Sequence, residues 1–217
     1  MRDIFTRTAT VAGLLALGLL GACSDLSRSR NLADPRVPAQ VLAQQVCVNC
    51  HGIDGRSISP NFPNLAAQPA EYLAVQLKAF RSHDRADPEG YEYMWGLSRS
   101  LSDAQLQGLA EYFAAQPAPP AVLQGSEASR ERGAKLFREG APGSGQPACA
   151  ACHGERAQGQ ATFPRLAGQH GDYLYRQLHV ISETDQRPAS AIMKPAAHAL
   201  SPKDMRDVAN YLQALGG

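Results

Sequence analysis

The stretch Cys47-Val48-Asn49-Cys50-His51 recurs as Cys149-Ala150-Ala151-Cys152-His153, 102 residues further along the chain. A Cys-x-x-Cys-His sequence is the attachment motif of c-type haem. Its two thiols lie on one side of a helical turn, where each can form a thioether with a haem vinyl group. The histidine that follows directs its imidazole to the iron as the proximal ligand. The pair of motifs therefore predicts two covalently bound haem c groups, attached through Cys47 and Cys50 and through Cys149 and Cys152, with His51 and His153 as iron ligands.

Other uses of paired cysteines fit this spacing less well. The cysteine pairs of a four-cysteine zinc site are roughly 15–20 residues apart, whereas Cys50 and Cys149 are separated by 99 positions. A thioredoxin-like Cys-x-x-Cys needs a β-α-β setting, and no strand pattern surrounds either motif. Two disulfides are possible in an oxidising compartment, but they would leave both following histidines without a role.

The two halves of the chain repeat beyond these motifs. Residues 62–68, FPNLAAQ, match residues 163–169, FPRLAGQ, and the methionines of the two halves stand seven residues before a Leu-Ser pair. This repeat predicts a duplicated domain. The expected boundaries are a signal peptide at 1–22, a first domain with an N-terminal tether at 23–118, a linker at 119–126 and a second domain at 127–217. Prolines near the junction favour an extended linker.

Apolar residues recur at helical spacing in both halves, and sustained alternation typical of strands is absent from the sequence. Ser102 followed by Gln105 has the pattern of a capping box, and Ser201 followed by Pro202 predicts the start of the last helix. The expected fold is all-α, with three or four helices around a haem in each of two tandem domains. Because such small domains bury limited protein surface, the haem is expected to supply much of each core.

Two methionines are candidates for the sixth iron ligand. Met94 and Met193 occupy equivalent places, 43 residues after His51 and 40 after His153. Met205 lies on the apolar stripe of the last predicted helix, so we expect it to pack in the core. Met/His ligation raises the reduction potential and fills both axial positions. It therefore indicates outer-sphere electron transfer without substrate chemistry at the iron.

Four further histidines have no equivalent shared by both halves, and we assign none of them to iron: His83, His170, His179 and His198. Of these, His170 is expected to serve as a local turn or capping residue at the start of a helix.

Residues 1–22 have the form of an export signal. Arg2 and Arg7 are followed by an uncharged apolar run at 11–22, which is shorter than the about 20 residues that a membrane-spanning helix needs. The run ends in Leu20-Gly21-Ala22-Cys23, which resembles the bacterial lipobox. We therefore expect lipidation at Cys23 and a periplasmic protein tethered to a membrane. The alternative is an ordinary signal peptide or a short anchor with an incidental cysteine.

The chain resembles the di-haem cytochrome c4 family over about residues 40–215. The resemblance rests on CVNCHGIDG, NFPNLAAQ, CAACHGE, TFPRLAGQ and the Met-x6-Leu-Ser ends. It implies two class I cytochrome c domains related by pseudo-twofold symmetry, a periplasmic location and electron transport toward terminal oxidases. It also implies that the carbonyls of Pro63 and Pro164 accept hydrogen bonds from the proximal imidazoles, which fixes the rings. The lipobox is not a general trait of that family.

The two methionine loops differ from one another. Trp95-Gly96-Leu97 follows Met94, whereas Lys194-Pro195-Ala196 follows Met193. Because the proline alters the backbone just after one ligand, we expect unequal reduction potentials at the two haems.

The expected function is the transport of single electrons by a protein that is not an enzyme. A formal net charge of +1 with 19% charged residues gives no support for nucleic-acid binding. The expected donor is a quinol–cytochrome c reductase or a dehydrogenase, and the expected acceptor is a terminal oxidase or reductase. One alternative is a dedicated cytochrome subunit of a periplasmic dehydrogenase. Another is a di-haem peroxidase, against which the paired methionines argue.

Overall fold

A computed structural model describes residues 26–88, 90–145 and 147–216. These ranges fold into helices and loops, with one isolated bridge between Gln160 and Phe163. The expected all-α class is thereby confirmed. The expected signal peptide at 1–22 and the lipidation site at Cys23 lie outside the described residues.

The described part of the first half contains a short 3₁₀ turn, Leu26–Arg28, followed by four helices. The first, α1, is continuous and consists of Ala39–Leu42, a π-helical turn at Ala43–Cys47, and Val48–His51. The others are α2 (Ala70–Arg81), α3 (Trp95–Ser98) and α4 (Asp103–Ala114). A second π-helical turn, Gly90–Met94, leads directly into α3.

The second half repeats this order with one change. Its helices are α5 (Glu127–Glu139), α6 (Ala150–His153), α7 (Gly171–Glu183), α8 (Lys194–His198) and α9 (Pro202–Gln213). A 3₁₀ turn, Pro188–Met193, leads into α8. Where α1 is continuous in the first half, α5 and α6 are separated by a loop in the second.

The two expected helix starts are confirmed. Ser102 Oγ accepts a hydrogen bond from the Gln105 N–H, and Gln105 Oε1 accepts one from the Ser102 N–H at 3.0 Å. Ser201 caps α9 in the same way with Asp204, and Pro202 is the first helical residue. These caps satisfy N–H groups that the first turn of a helix leaves without partners.

Each half has its own buried apolar cluster. The first gathers residues of α1, α2 and α4, among them Leu42, Leu73, Leu106 and Phe113. The second gathers residues of α5, α7 and α9, among them Phe137, Leu174, Val208 and Leu212. Met205 is only 3% exposed, as expected of a core residue. Two separate cores support two domains, and the exact boundaries, with a linker at 119–126, remain our proposal.

An ionic cluster fastens α5 to α9 in the second half. The buried Asp207 carboxylate accepts hydrogen bonds from Ser129 Oγ at 2.5 Å, Arg132 Nε at 2.7 Å and Lys203 Nζ at 2.5 Å. Gly133 permits the close approach of the helices, since a Cβ there would lie 2.1 Å from the Asp207 carbonyl oxygen. Burial opposes ionisation of Asp207, but the hydrogen bonds outweigh it and lower the pKa of this carboxyl to about 2.

Replacement Asp207→Asn should lower the free energy of unfolding of the haem-loaded protein at pH 7 by about 2 kcal/mol, because bonds to a charged group are lost. The folded pKa lies below the unfolded value of about 3.9. The stabilisation is therefore complete above about pH 4 and is lost as the pH falls toward about 2.

Denaturant titrations of both proteins across this pH range measure the effect. Asp185→Asn is the matched control, because Asp185 pairs with Lys194 while its side chain is 93% exposed, and such pairs contribute about 0–1 kcal/mol. Equal losses in the two variants at pH 7, or a constant difference between wild type and Asp207→Asn down to pH 2, would contradict the assignment.

Candidate functional site

A continuous cavity runs between the helices of both halves. It encloses about 2270 Å³ of space, counting solvent at its openings. Most of the expected haem-binding residues line it: Cys47, Cys50, His51, Pro63, Met94, Cys149, His153, Pro164 and Met193. Cys152 is half-buried on α6 and is not part of this lining. The structure therefore places a histidine and a methionine from each half around one space.

The two motif histidines are held in the same way. Nδ1 of His51 lies 2.9 Å from the Pro63 carbonyl oxygen, and Nδ1 of His153 lies 2.9 Å from that of Pro164. Because a carbonyl can only accept, each Nδ1 carries the proton and each Nε2 keeps its lone pair. Burial lowers the pKa of both histidines despite the opposing effect of the carbonyls. Both rings are thus neutral, which is the form that binds metal.

The local backbone fixes where these histidines stand. Each closes a helix, and the next residue is a glycine with positive φ, 76° at Gly52 and 81° at Gly154. A Cβ at Gly52 would lie 2.3 Å from the Arg56 carbonyl oxygen. Glycine is therefore required for the chain to turn back toward the proline that holds the ring.

Phenylalanines pack against both rings at matching distances. Phe62 meets His51 edge-on with ring centroids 6.3 Å apart, and Phe163 meets His153 at 6.2 Å. The sequence repeat contained both phenylalanines without revealing this contact. The feature of the sequence that could have predicted this contact is the equivalent position of the two phenylalanines, one residue before the prolines.

The four motif cysteines form no disulfide with one another. Burial raises the pKa of Cys47 to about 11 and also raises that of Cys149. Over the described ranges, no group of three or more His, Cys, Asp or Glu side chains comes together as a metal site. The geometry thus offers no support for the zinc interpretation, because the two cysteine pairs belong to different halves.

The methionines lie at corresponding points of the two halves. Met94 ends the π-helical turn before α3, and Met193 ends the 3₁₀ turn before α8. Each is half-buried and lines the cavity. Their thioethers are therefore available inside the same space as the motif histidines.

A buried polar network lines the cavity between the two halves. Arg85 Nε donates to Asp87 Oδ1 at 2.7 Å, and Arg85 Nη1 donates to Gln76 Oε1 at 2.8 Å. Arg187 Nη2 donates to the same Gln76 oxygen at 3.0 Å and another of its nitrogens donates to Gln177. Arg85 is thus paired with the Asp87 carboxylate, whereas Arg187 donates to the neutral amides of Gln76 and Gln177. Among the described residues, this network therefore holds two guanidinium groups and one carboxylate. Burial opposes ionisation of Asp87, but the bonds from Arg85 outweigh it and lower its pKa.

Sequence analysis did not find this network. Tyr72 and Gln76 stand 101 residues before Tyr173 and Gln177, so these residues belong to the repeat. A glutamine inside an otherwise apolar stripe was the signal that a polar partner lay opposite.

Two orphaned atoms show that a haem suits this cavity. His153 Nε2 and Arg187 Nε are buried without a hydrogen-bond partner among the described residues. An iron would satisfy the imidazole lone pair, and the acidic propionates of a haem would match the surplus positive charge near Arg187. Cys47, Cys50 and Cys149 line the same cavity and Cys152 belongs to the second motif, so the residues present fit two haem c groups.

His170 is the N-cap residue of α7, as expected of a residue at the start of a helix, but its side chain makes no capping hydrogen bond. Instead, its Nε2 lies 2.9 Å from the Ser57 carbonyl oxygen in the other half. His170 therefore lies at the interface of the two halves. This placement depends on how the halves pack and cannot be predicted from the neighbouring sequence.

Asp87→Asn should lower the free energy of unfolding by about 3 kcal/mol, because it leaves the buried Arg85 guanidinium without the carboxylate that it contacts. Asp103→Asn is the matched control: Asp103 pairs with Arg81, but its side chain is 78% exposed, and its loss should cost less than about 1 kcal/mol. Guanidinium titrations of the haem-loaded variants measure both values. Similar losses would refute a buried, charge-compensating role for Asp87.

Comparisons with known proteins agree on one family. A sequence model of the family described as Cytochrome c matches residues 37–116 and 130–216. The cytochrome c4 of Thiocapsa roseopersicina is 37% identical over 188 residues, which cover 85% of this chain and 94% of that protein. A thiosulfate dehydrogenase electron acceptor from Stutzerimonas stutzeri (strain A1501) is 36% identical over 178 residues, covering 80% and 81% of the two chains.

A solved structure is also similar to this fold. The cytochrome c4 of Acidithiobacillus ferrooxidans has a TM-score of 0.72 and is 38% identical, covering 78% of this chain and 98% of its own. Within residues 26–88, 90–145 and 147–216, the helices are all too short or too polar to cross a bilayer.

Proposed function

The chain belongs to the di-haem cytochrome c4 family, and on this premise we propose that it carries single electrons between respiratory complexes while tethered to a membrane in the periplasm. It is an electron-transfer protein with two covalently bound haem c groups, one at each Cys-x-x-Cys-His motif. The observation that carries the proposal is the matched placement of a neutral histidine and a methionine around the cavity in both halves.

We assign His51 with Met94 to one iron and His153 with Met193 to the other. The proline hydrogen bonds support the histidines, because they leave Nε2 free to bind metal. The corresponding positions of the methionines before α3 and α8 support the thioethers. A bound haem would supply a one-electron couple. His51 with Met94, and His153 with Met193, would hold its iron and leave oxygen and peroxide no place to bind.

The other residues around the cavity support this one-electron exchange. Apolar residues exclude water, and a thioether ligand favours reduced iron. Prolines hold the imidazoles in one orientation, so little atomic movement accompanies the change of charge. The chain therefore supports rapid outer-sphere transfer and gives no proton or substrate a role.

Replacement of either Met94 or Met193 by alanine should open one iron. The methionine-sulfur band at the red edge of the oxidised spectrum should fall by about half, the reduction potential of that haem should drop, and its ferrous form should bind carbon monoxide. Met205→Leu is the control, because Met205 is a buried methionine of α9 away from the cavity lining. Unchanged spectra and potentials in both alanine variants would refute the assignment.

We propose that electrons enter from a quinol–cytochrome c reductase or a dehydrogenase and leave to a terminal oxidase or reductase. A tether at Cys23 would limit the carrier to partners along one membrane. A second candidate is service to a single periplasmic dehydrogenase, and the similarity to a thiosulfate dehydrogenase electron acceptor favours it.

Cys23→Ser should move the protein from the membrane fraction to the soluble periplasmic fraction, because acyl chains contribute about 0.8 kcal/mol per buried CH₂. Fractionation followed by haem staining measures this. Purification of the wild-type protein from native membranes tests the partner, since a co-purified dehydrogenase favours the second candidate and a reductase or oxidase favours the first. Equal fractionation of both proteins would contradict the tether.

A further inference from the structure

The peptide group that joins Pro63 to Asn64 is hydrogen-bonded at both of its ends. Its carbonyl accepts the bond from His51 Nδ1 at 2.9 Å. Its N–H donates to Oε1 of Gln169 at 2.8 Å. Gln169 belongs to the other half of the molecule. One amide of the second domain therefore contacts the same peptide unit that holds the histidine of the first.

The pseudo-equivalent peptide group in the second half has the reciprocal contacts. The Pro164 carbonyl accepts from His153 Nδ1 at 2.9 Å, and the Arg165 N–H donates to Oε1 of Gln68 at 3.0 Å. Each glutamine is matched with the other in the sequence repeat. Each domain therefore donates a glutamine side chain to the equivalent prolyl peptide of the other domain.

Each glutamine amide is fixed by two bonds to one residue. Gln169 Nε2 donates to the Asn64 carbonyl oxygen at 2.9 Å, and Gln68 Nε2 donates to that of Arg165 at 2.7 Å. Only the amide nitrogen can donate to a carbonyl, so the oxygen must face the backbone N–H. Gln68 is 5% exposed and Gln169 is 4% exposed. Water cannot readily replace these bonds.

Hydrogen bonds in a chain polarise one another. An acceptor at the Asn64 N–H draws electron density along the peptide toward the Pro63 oxygen and makes that oxygen a better acceptor. A stronger bond at Nδ1 makes the His51 imidazole more electron-donating at Nε2. A more basic ligand favours the oxidised iron and lowers its reduction potential.

We propose that Gln68 and Gln169 are positioning residues that act across the domain interface. Each orients the proximal histidine of the other domain and lowers the reduction potential of the other domain's haem. This inference rests on the proposed ligation of iron by His51 and His153. It predicts that a substitution in one domain shifts the reduction potential of the haem in the other domain. Local damage to a domain does not produce such a shift.

The test is a pair of single variants of the haem-loaded protein, Gln169→Leu and Gln68→Leu, in which the backbone N–H loses its acceptor. Gln169→Leu should shift the haem of the first domain to higher potential, and Gln68→Leu that of the second. At a fixed applied potential, the oxidised-to-reduced ratio of the affected haem should fall roughly two- to threefold, since one bond of a chain is altered and the histidine bond itself is kept. The other haem should stay near its wild-type value.

Redox titrations followed by NMR of each histidine resolve the two haems. The Nδ1 proton signal of His51 should move in Gln169→Leu and that of His153 in Gln68→Leu, which a purely structural role would not produce. His170→Ala is the matched control, because it removes a contact between the halves that does not touch either prolyl peptide. It should shift neither haem.

A second variant guards against misfolding. Gln169→Glu keeps an oxygen for the Asn64 N–H, so the first haem should stay at or below its wild-type potential. A shift confined to the domain that carries the mutation, equal shifts of both haems, or no shift would overturn the proposal. A methionine-sulfur band of wild-type intensity in the variants shows that the methionines still bind iron. If the potentials then fail to shift, the role of the glutamines is wrong while the proposed function stands.

Discussion

The hydrogen bond from a histidine Nδ1 to a proline carbonyl is the contact on which both sites depend. It is 2.9 Å long in each half. It fixes the protonated nitrogen on one side of the ring and leaves the other nitrogen free inside the cavity. Each histidine closes a helix and each proline lies on the returning loop, so this single contact requires the glycine turn, the loop and the helix end to be in place together.

The interface between the halves is built around the same loops. Gln68 and Gln169 bind the residues that follow the prolines, and His170 adds a contact to Ser57. Arg85 and Arg187, one from each half, both donate to the Gln76 amide oxygen in the cavity. Polar side chains of both halves are therefore hydrogen-bonded to one another where the halves meet.

The sequence alone was sufficient where covalent or coordinate chemistry demands a local spacing. The Cys-x-x-Cys-His motifs and the helix caps at Ser102 and Ser201 all depend on residues close together in the chain. Duplication added a second, independent copy of each pattern. The all-α class could be predicted because the spacing of the apolar residues and the turn residues indicate the same helices.

The remainder depends on how the halves pack, which no short pattern reports. Arg85 and Gln177 are 92 residues apart, and Asn64 and Gln169 are 105 apart, so their contacts appear only in three dimensions. The contact of His170 with Ser57 was not predicted for this reason. Helix α5 was not singled out either, because its exposed face is rich in Glu and Arg and only residues such as Phe137 reach the core.

The most direct measurement is a crystal structure of the haem-loaded protein with the iron atoms located by anomalous scattering. The account predicts two irons, one between His51 Nε2 and Met94 Sδ and the other between His153 Nε2 and Met193 Sδ, with each porphyrin joined to its cysteine pair. A five-coordinate iron, a different sixth ligand at either site, or a single iron per chain would contradict it.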